Sequence, residues 1–289
     1  MATIDALEQI PRTQTATLKA WIFGSEDGPP LDDPAEAYHE ASKIYPSFAG
    51  RDTGGVRMLE ATPQLQLSVV RGLKRHAHRP AVALPSAALP DATFAETVRS
   101  RRSGRVFATE ALPLGELATM LHTAYGVTHF SALPGGRRGQ PLRAVPSGGA
   151  LYPLELYVLA QRVDGLDAGV YHYDPWRHVL ECLPTGVAHP TADLTAYPEL
   201  LEPAAALVLI TAMFWRTRFK YALRGYRFAL LEAGHVGQNL ALAATALHVA
   251  ALPVGGIYDR RVEEVLGVDG VNESVVYVFA VGRSGEPEG

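Results

Sequence analysis

The sequence predicts an α+β fold, because helical and strand-like segments are both plain in its pattern but do not alternate as regular βαβ units. Three observations carry this. Leu114, Leu117, Met120, Leu121 and Ala124 follow the three-and-four spacing of an amphipathic helix. Phe228 to Ala250 reads as one long, mostly apolar helix. Leu154 to Ala160 and Ala205 to Met213 are short apolar runs suited to buried strands, and Ser274 to Val281, largely β-branched and aromatic, suits a last strand.

The elements follow in order. The turn-rich break from Gly28 to Pro34 precedes Ala35 to Ala41, which reads helical with Pro34 in its first turn. A second break spans Ser47 to Gly55, and Pro80 to Pro90, rich in Ala and Pro, reads as a connector. An N-terminal extension over residues 1–90 and a main domain over 91–289 are therefore expected. Within the latter, Phe94 to Arg99 is helical, and the 114–124 helix has Pro113 near its start and Gly126 placed to end it. Gly169 to Tyr173 and His178 to Leu183 form a hairpin turning at Asp174-Pro175. The long helix is apolar on more than one face, with small residues such as Gly234 and Gly237 along it. It must be buried, either by its own domain or by a second subunit.

Bulk properties narrow the function classes. The chain has 289 residues, is 47% hydrophobic and carries a net charge of −4 with scattered basic residues, so no general attraction to nucleic acid or to an anionic membrane follows. The N-terminus lacks the features of a secretory signal, and the most apolar runs are too short or too interrupted to span a bilayer. A cytoplasmic protein is expected. The single cysteine, Cys182, excludes an intrachain disulfide and reads as a packing residue. Histidine spacing gives no metal motif and no nucleophile elbow occurs, so metal and hydrolase readings lack support.

Four segments can carry chemistry. Arg99 to Phe107 gathers guanidinium groups and hydroxyls able to grip a phosphate, or is a solvated basic helix end. Val145 to Glu155 holds Gly148-Gly149 between prolines, a loop whose backbone can approach a planar ligand, or an ordinary tight turn. Pro253 to Tyr258 offers a second Gly-Gly pair, or a helix stop, and Arg283 closes the last strand. Lys220-Tyr221, among aromatic residues and arginines, is a candidate acid–base pair, or part of a solvent-facing cationic stretch.

Order and spacing then add a resemblance. Arg101-Arg102-Ser103-Gly104-Arg105-Val106-Phe107, Pro146-Ser147-Gly148-Gly149-Ala150-Leu151-Tyr152-Pro153-Leu154-Glu155, Gly169-Val170-Tyr171-His172-Tyr173, Lys220-Tyr221, Arg224-Gly225-Tyr226-Arg227 and Glu232-Ala233-Gly234-His235 resemble the SagB-type dehydrogenases. These form a branch of the nitroreductase superfamily that includes azoline dehydrogenases. The resemblance runs from about Asp91 to the end, and more faintly over Tyr38 to Lys43. It implies a nitroreductase-like fold, a mostly antiparallel central sheet flanked by helices, in an intertwined homodimer with two molecules of flavin mononucleotide (FMN) at the interface. Arg101, Arg102, Ser103 and Arg105 would then contact the FMN phosphate and ribityl chain, with Arg283 at the phosphate. Pro146, Ser147, Gly148 and Gly149 would reach the flavin ring from the partner subunit, and Pro253, Val254, Gly255 and Gly256 would meet its other edge.

By the same resemblance, Lys220 or Tyr221 removes the proton from the former peptide Cα of a thiazoline or oxazoline while hydride passes to the flavin, which oxygen reoxidises. The substrate would be peptide-derived, arriving free, carrier-bound or presented by a cyclodehydratase or synthetase partner. An NAD(P)H-dependent flavin reductase and a non-catalytic scaffold in a biosynthetic complex are the alternatives.

Overall fold

The structure is a computed structural model that describes residues 33–46, 54–62, 74–132, 138–184 and 191–285. The chain divides into two units, residues 1–49 and 50–289. In the first, helix α1 (Pro34–Ala41) starts as its sequence predicts: Asp33 caps it by accepting from the Ala35 N–H at 2.8 Å, and Pro34 fills the first turn. At its end the Ser42 hydroxyl donates to the Tyr38 carbonyl at 2.6 Å.

In the second unit the described helices are α2 (Gly54–Ala61), α3 (Phe94–Ser100), α4 (Leu114–Tyr125), α5 (Pro198–Leu201), α6 (Trp215–Ala246) and α7 (Asp259–Leu266). Its strands are β1 (Ala81–Ala83), β2 (Leu112–Pro113), β3 (Val127–Ala132), β4 (Arg138–Arg143), β5 (Leu154–Ala160), β6 (Val163–Asp164), β7 (Gly169–Asp174), β8 (Val179–Cys182), β9 (Ala206–Ala212), β10 (Val249–Val254) and β11 (Ser274–Arg283). Seven strands make one sheet in the order β1-β8-β7-β5-β9-β11-β10, antiparallel at every pairing. β3 and β4 form a separate hairpin.

Central strands β5 and β9 are buried along their whole length, and their period-two alternation sorts side chains between two cores. Leu156, Val158, Val208 and Ile210 face α4 and α6, meeting Leu117, Leu121, Val236 and Leu240. Tyr157, Leu159, Leu207 and Leu209 face the other way, meeting Leu194, Leu201, Val262 and Leu266. The sheet is thus the middle of three layers, as α+β architecture requires of a sheet apolar on both faces.

Two expectations shift. The long helix starts at Trp215 rather than Phe228 and ends at Ala246 rather than Ala250, because His248 takes φ 56° and turns the chain so that Val249 and Ala250 begin β10. Its backbone breaks at Ala222 (φ 47°, ψ −133°), so two helical segments meet at a kink. The Pro80 to Pro90 connector contributes Ala81–Ala83 as the sheet's edge strand, paired with β8. Other elements stand where the pattern puts them: α4 ends at Gly126, whose N–H donates to the His122 carbonyl at 2.7 Å, and β7 and β8 form the hairpin.

Candidate functional site

The predicted site residues assemble as two groups, one at each end of α6. The first is the 101–107 strap. Thr93 and Glu96 close a capping box on α3, which delivers Arg101 as its last capping residue. From there Gly104 donates its N–H to the Ala251 carbonyl at 3.1 Å, so the strap lies along the open edge of β10. A Cβ at Gly104 would stand 2.7 Å from the Ala250 methyl, and only glycine allows this approach. Phe107 bridges to Ser284, and the Ala108 N–H meets the Arg283 carbonyl at 2.9 Å. Arg283 therefore sits beside the strap, with its guanidinium 3.1 Å from Glu116. Arg102 Nη1 is engaged by the Arg99 and Arg101 carbonyls, both at 2.9 Å; Arg101 and Ser103 are half-buried and Arg105 is exposed. On β10 itself, Pro253 and Val254 pair with Phe279 and Val278, and beyond them Gly255 borders open space. The Gly256 carbonyl accepts from the Thr195 hydroxyl at 2.6 Å.

The second group joins the glycine loop to the Lys-Tyr pair. At Gly149 (φ 65°) a Cβ would lie 2.7 Å from the Tyr221 hydroxyl and 2.9 Å from Lys220 Nζ, while at Gly148 it would lie 3.0 Å from the Phe228 ring. Pro146 and Gly149 are exposed, and Ser147 and Gly148 half-buried. Lys220 Nζ stands 5.3 Å from the Tyr221 ring centre. What presents this pair is the Ala222 kink, closed from behind by the Thr217 hydroxyl donating to the Gly225 carbonyl at 2.9 Å. Gly55 of α2 packs on the same turn so tightly that a Cβ there would overlap the Phe219 carbonyl oxygen. A non-glycine residue at such φ and ψ stores strain, which persists where the surroundings hold it and clusters at working sites.

Side chains that sequence reasoning left without a role root this arrangement. Arg216 Nη1 ion-pairs with Glu155 Oε1 on β5 at 2.6 Å, anchoring the start of α6 to the sheet. Burial disfavours the Glu155 charge, but Arg216, with the His172 hydrogen bond, outweighs it and holds the carboxyl down at about 2. His172, wholly buried, bonds Glu155 at 2.9 Å and Glu181 at 3.0 Å. Below the glycine loop Glu232, 2% exposed, accepts from the Tyr125 hydroxyl at 2.7 Å, and burial raises its carboxyl to about 7. Glu155 and Glu232 both lie in the motifs quoted above. Their signal was a carboxylate inside an otherwise apolar strand or helix, which must find a partner on folding. His76, His172 and Glu181 bring potential ligand atoms within 4.8 Å of one another, but both His172 nitrogens are already bonded to carboxylates.

Comparison with known proteins identifies the family. The nitroreductase family model matches residues 98–283. A Methanocaldococcus jannaschii protein named as a nitroreductase is 40% identical over 185 residues, 63% of this chain and 87% of that protein. The Escherichia coli microcin B17-processing protein McbC is 34% identical over 138 residues, 45% of this chain and half the length of McbC. Among solved structures, the E. coli microcin synthetase complex McbBCD with truncated pro-MccB17 bound superposes with a TM-score of 0.56 at 25% identity, covering 87% of this chain and 92% of the matched one. Among the described residues no helix is long and apolar enough to cross a membrane. With an antiparallel sheet, flanking helices and a match across most of its second unit, the chain belongs to the nitroreductase family and is a relative of a microcin-processing protein.

Proposed function

We propose that the chain is an FMN-dependent dehydrogenase that oxidises thiazoline or oxazoline rings in a peptide-derived substrate, with oxygen as final acceptor, and that it works as a homodimer. The observation that carries this reading is the meeting of Lys220 Nζ and the Tyr221 hydroxyl over Gly149. A glycine of positive φ leaves room where a Cβ would touch both groups, so a flat ring lying on the loop has an amine and a phenol at its face.

The residues fit a flavin. Arg101 and Arg105 belong to the strap beside β10, Arg283 lies at the end of β11 where that strap meets it and where a phosphate would compete with Glu116 for it, and Gly255 leaves the end of β10 uncovered. Between Ala222 and Ala246 run 24 residue steps of α6, about 36 Å at roughly 1.5 Å each. The Lys-Tyr pair and the arginines of one chain therefore lie toward opposite ends of that helix, an arrangement that suits a centre shared between two copies. Two copies, each lending its 146–149 loop and Lys-Tyr pair to the other's strap, complete two sites. When bound, FMN supplies the hydride acceptor. Lys220 or Tyr221 takes the proton from the former peptide Cα, and the loop holds the substrate ring in line with it. The role of McbC in microcin B17 processing, and its synthetase complex, support a peptide substrate and a synthetase partner.

Substituting Lys220→Ala and Tyr221→Phe singly tests the reading. Each variant should retain the yellow chromophore, and azole formation should fall by about 100-fold or more, the scale of a lost acid–base group. Azole formation at the wild-type rate in both variants would remove the mechanism. Rapid bleaching by NAD(P)H without any peptide would favour the reductase alternative.

A further inference from the structure

Lys220 and the residues just before it are approached closely by three glycines. Within α6 the kink folds the chain back so far that a Cβ at Gly225 would stand 2.7 Å from the Thr217 carbonyl carbon and 2.8 Å from the Arg218 nitrogen. The glycine loop meets the side chain, a Cβ at Gly149 lying 2.9 Å from Lys220 Nζ. The third approach comes from α2: a Cβ at Gly55 would lie 2.8 Å from Lys220 Cα and 2.9 Å from the Phe219 carbonyl carbon. Carbon atoms pack without strain at about 3.5–4.0 Å. Any side chain at position 55 must therefore displace either α2 or the residue that carries the amine.

Nothing local asks for glycine at 55. Glycine is a poor helix former, yet α2, eight residues long, opens on two of them. No positive φ requires one there. What the position does require is room for the Phe219–Lys220 main chain. Gly115 is the useful contrast: it is likewise the second residue of its helix, α4, and a Cβ there would meet nothing within 4 Å. Gly149 and Gly225 lie within residues 98–283, the span that the family model matches, whereas α2 lies ahead of it. The turn that carries Lys220 is thus seated partly by chain outside the family domain.

We propose that Gly55 is a positioning residue for the Lys-Tyr pair: by laying the start of α2 directly on the Phe219–Lys220 main chain, it fixes where the kinked turn stands relative to the glycine loop. The inference rests on the proposed function for the chemistry that Lys220 and Tyr221 carry; the contact itself is a property of the chain alone. A methyl at 55 has to open a 2.8 Å approach to an ordinary carbon contact, a shift on the order of 1 Å. Misplacing an acid–base group by that much costs about 100-fold in rate.

Gly55→Ala and Gly115→Ala in the full-length, FMN-loaded protein make a matched pair, one methyl against Lys220 and one in open space. With a synthetic tripeptide carrying a central thiazoline, kcat of Gly55→Ala should fall about 100-fold with KM and bound FMN unchanged, while Gly115→Ala keeps the wild-type kcat. In a chain already carrying Lys220→Ala and Tyr221→Phe, the same Gly55→Ala change should cost nothing further, because no pair is left to misplace. Amide hydrogen exchange over residues 214–226 should rise about ten-fold in Gly55→Ala, with β5 unchanged. Arg57→Pro breaks α2 at an exposed position and lifts the contact instead of crowding it. It should lower kcat and raise exchange over 214–226 in the same way, so a Gly55→Ala chain that fails to fold does not shelter the idea. Wild-type kcat or wild-type exchange in either folded variant, or an equal loss without the Lys-Tyr pair, overturns the proposal. A wild-type chain that oxidises no thiazoline sinks the proposed function instead, and the exchange comparison then decides the contact by itself.

Discussion

His172, at 0% exposure, holds Glu155 on one side and Glu181 on the other, and Arg177 reaches both Glu181 and Asp174. Its protonated ring answers two buried carboxylates at once. Burial opposes that charge, yet the hydrogen bonds to Glu155 and Glu181 prevail and push the ring up to about 9. Because the folded value lies above the ordinary one near 6.5, the stabilisation is fully present below pH 6.5 and is lost as pH rises from there to about 9. At roughly 1.4 kcal/mol per unit this is on the order of 3 kcal/mol. Denaturant unfolding between pH 6 and 9 should show that decline in the wild type, and His172→Gln should flatten it. The variant should also lose about 3–5 kcal/mol at neutral pH, since two buried carboxylates lose their cation; a loss below 1 kcal/mol would mean that the network contributes little.

At the scale of the element, the kink in α6 decides where the Lys-Tyr pair points. Ala222 at φ 47° and ψ −133° occupies a region open to glycine and costly for alanine. Ala222→Gly should relieve about 1–3 kcal/mol of strain against about 0.5–1 kcal/mol of added chain entropy. A net rise in melting temperature is expected, with lower turnover as the pair loses its fixed aim. Lower stability with unchanged turnover would show that the kink is incidental. This is also where sequence pattern stops being legible. Strand identity in β5, β9 and β11 could be read because each is mostly apolar and rich in strand-forming residues, in β7 because it leads into the Asp174-Pro175 turn of a hairpin, and in α4 because its apolar stripe repeats at helical spacing. The start of α6 could not, since Trp215 to Arg227 mixes arginines, aromatics and one glycine without a helical stripe and is held by the Arg216–Glu155 pair across the fold. Strand β1 was hidden for the same reason: three residues among prolines become a strand only because β8 offers an edge. The candidate site was legible as separate segments, whereas the approach of Gly149 to Lys220 and Tyr221 depends on a positive φ and a kink that no periodicity encodes.

At the scale of the whole molecule, α6 sets the logic of the site. Its N-terminal end carries Lys220 and Tyr221 against Gly149, and its C-terminal end leads into β10, beside which lie the strap and Arg283. In the proposed homodimer each centre would draw these two groups, which lie toward opposite ends of that helix, from different chains, and the exposed Leu230, Leu231 and Gly234 surface of α6 is apolar enough to meet another copy. Defects placed in opposite halves should then complement. A chain with Arg101→Ala and Arg283→Ala keeps its Lys-Tyr pair but not the proposed phosphate site, and a Lys220→Ala chain has the reverse; on the proposed function each alone should be inactive. Co-expressed in equal amounts, half of the dimers pair one of each, and every such dimer contains one site with both halves intact and one with neither. Mixed protein should therefore recover about a quarter of wild-type azole formation, as two-fold symmetry requires. If both halves of the site came from a single chain, every site in the mixture would lack one or the other, and the mixture would be as inactive as its parents.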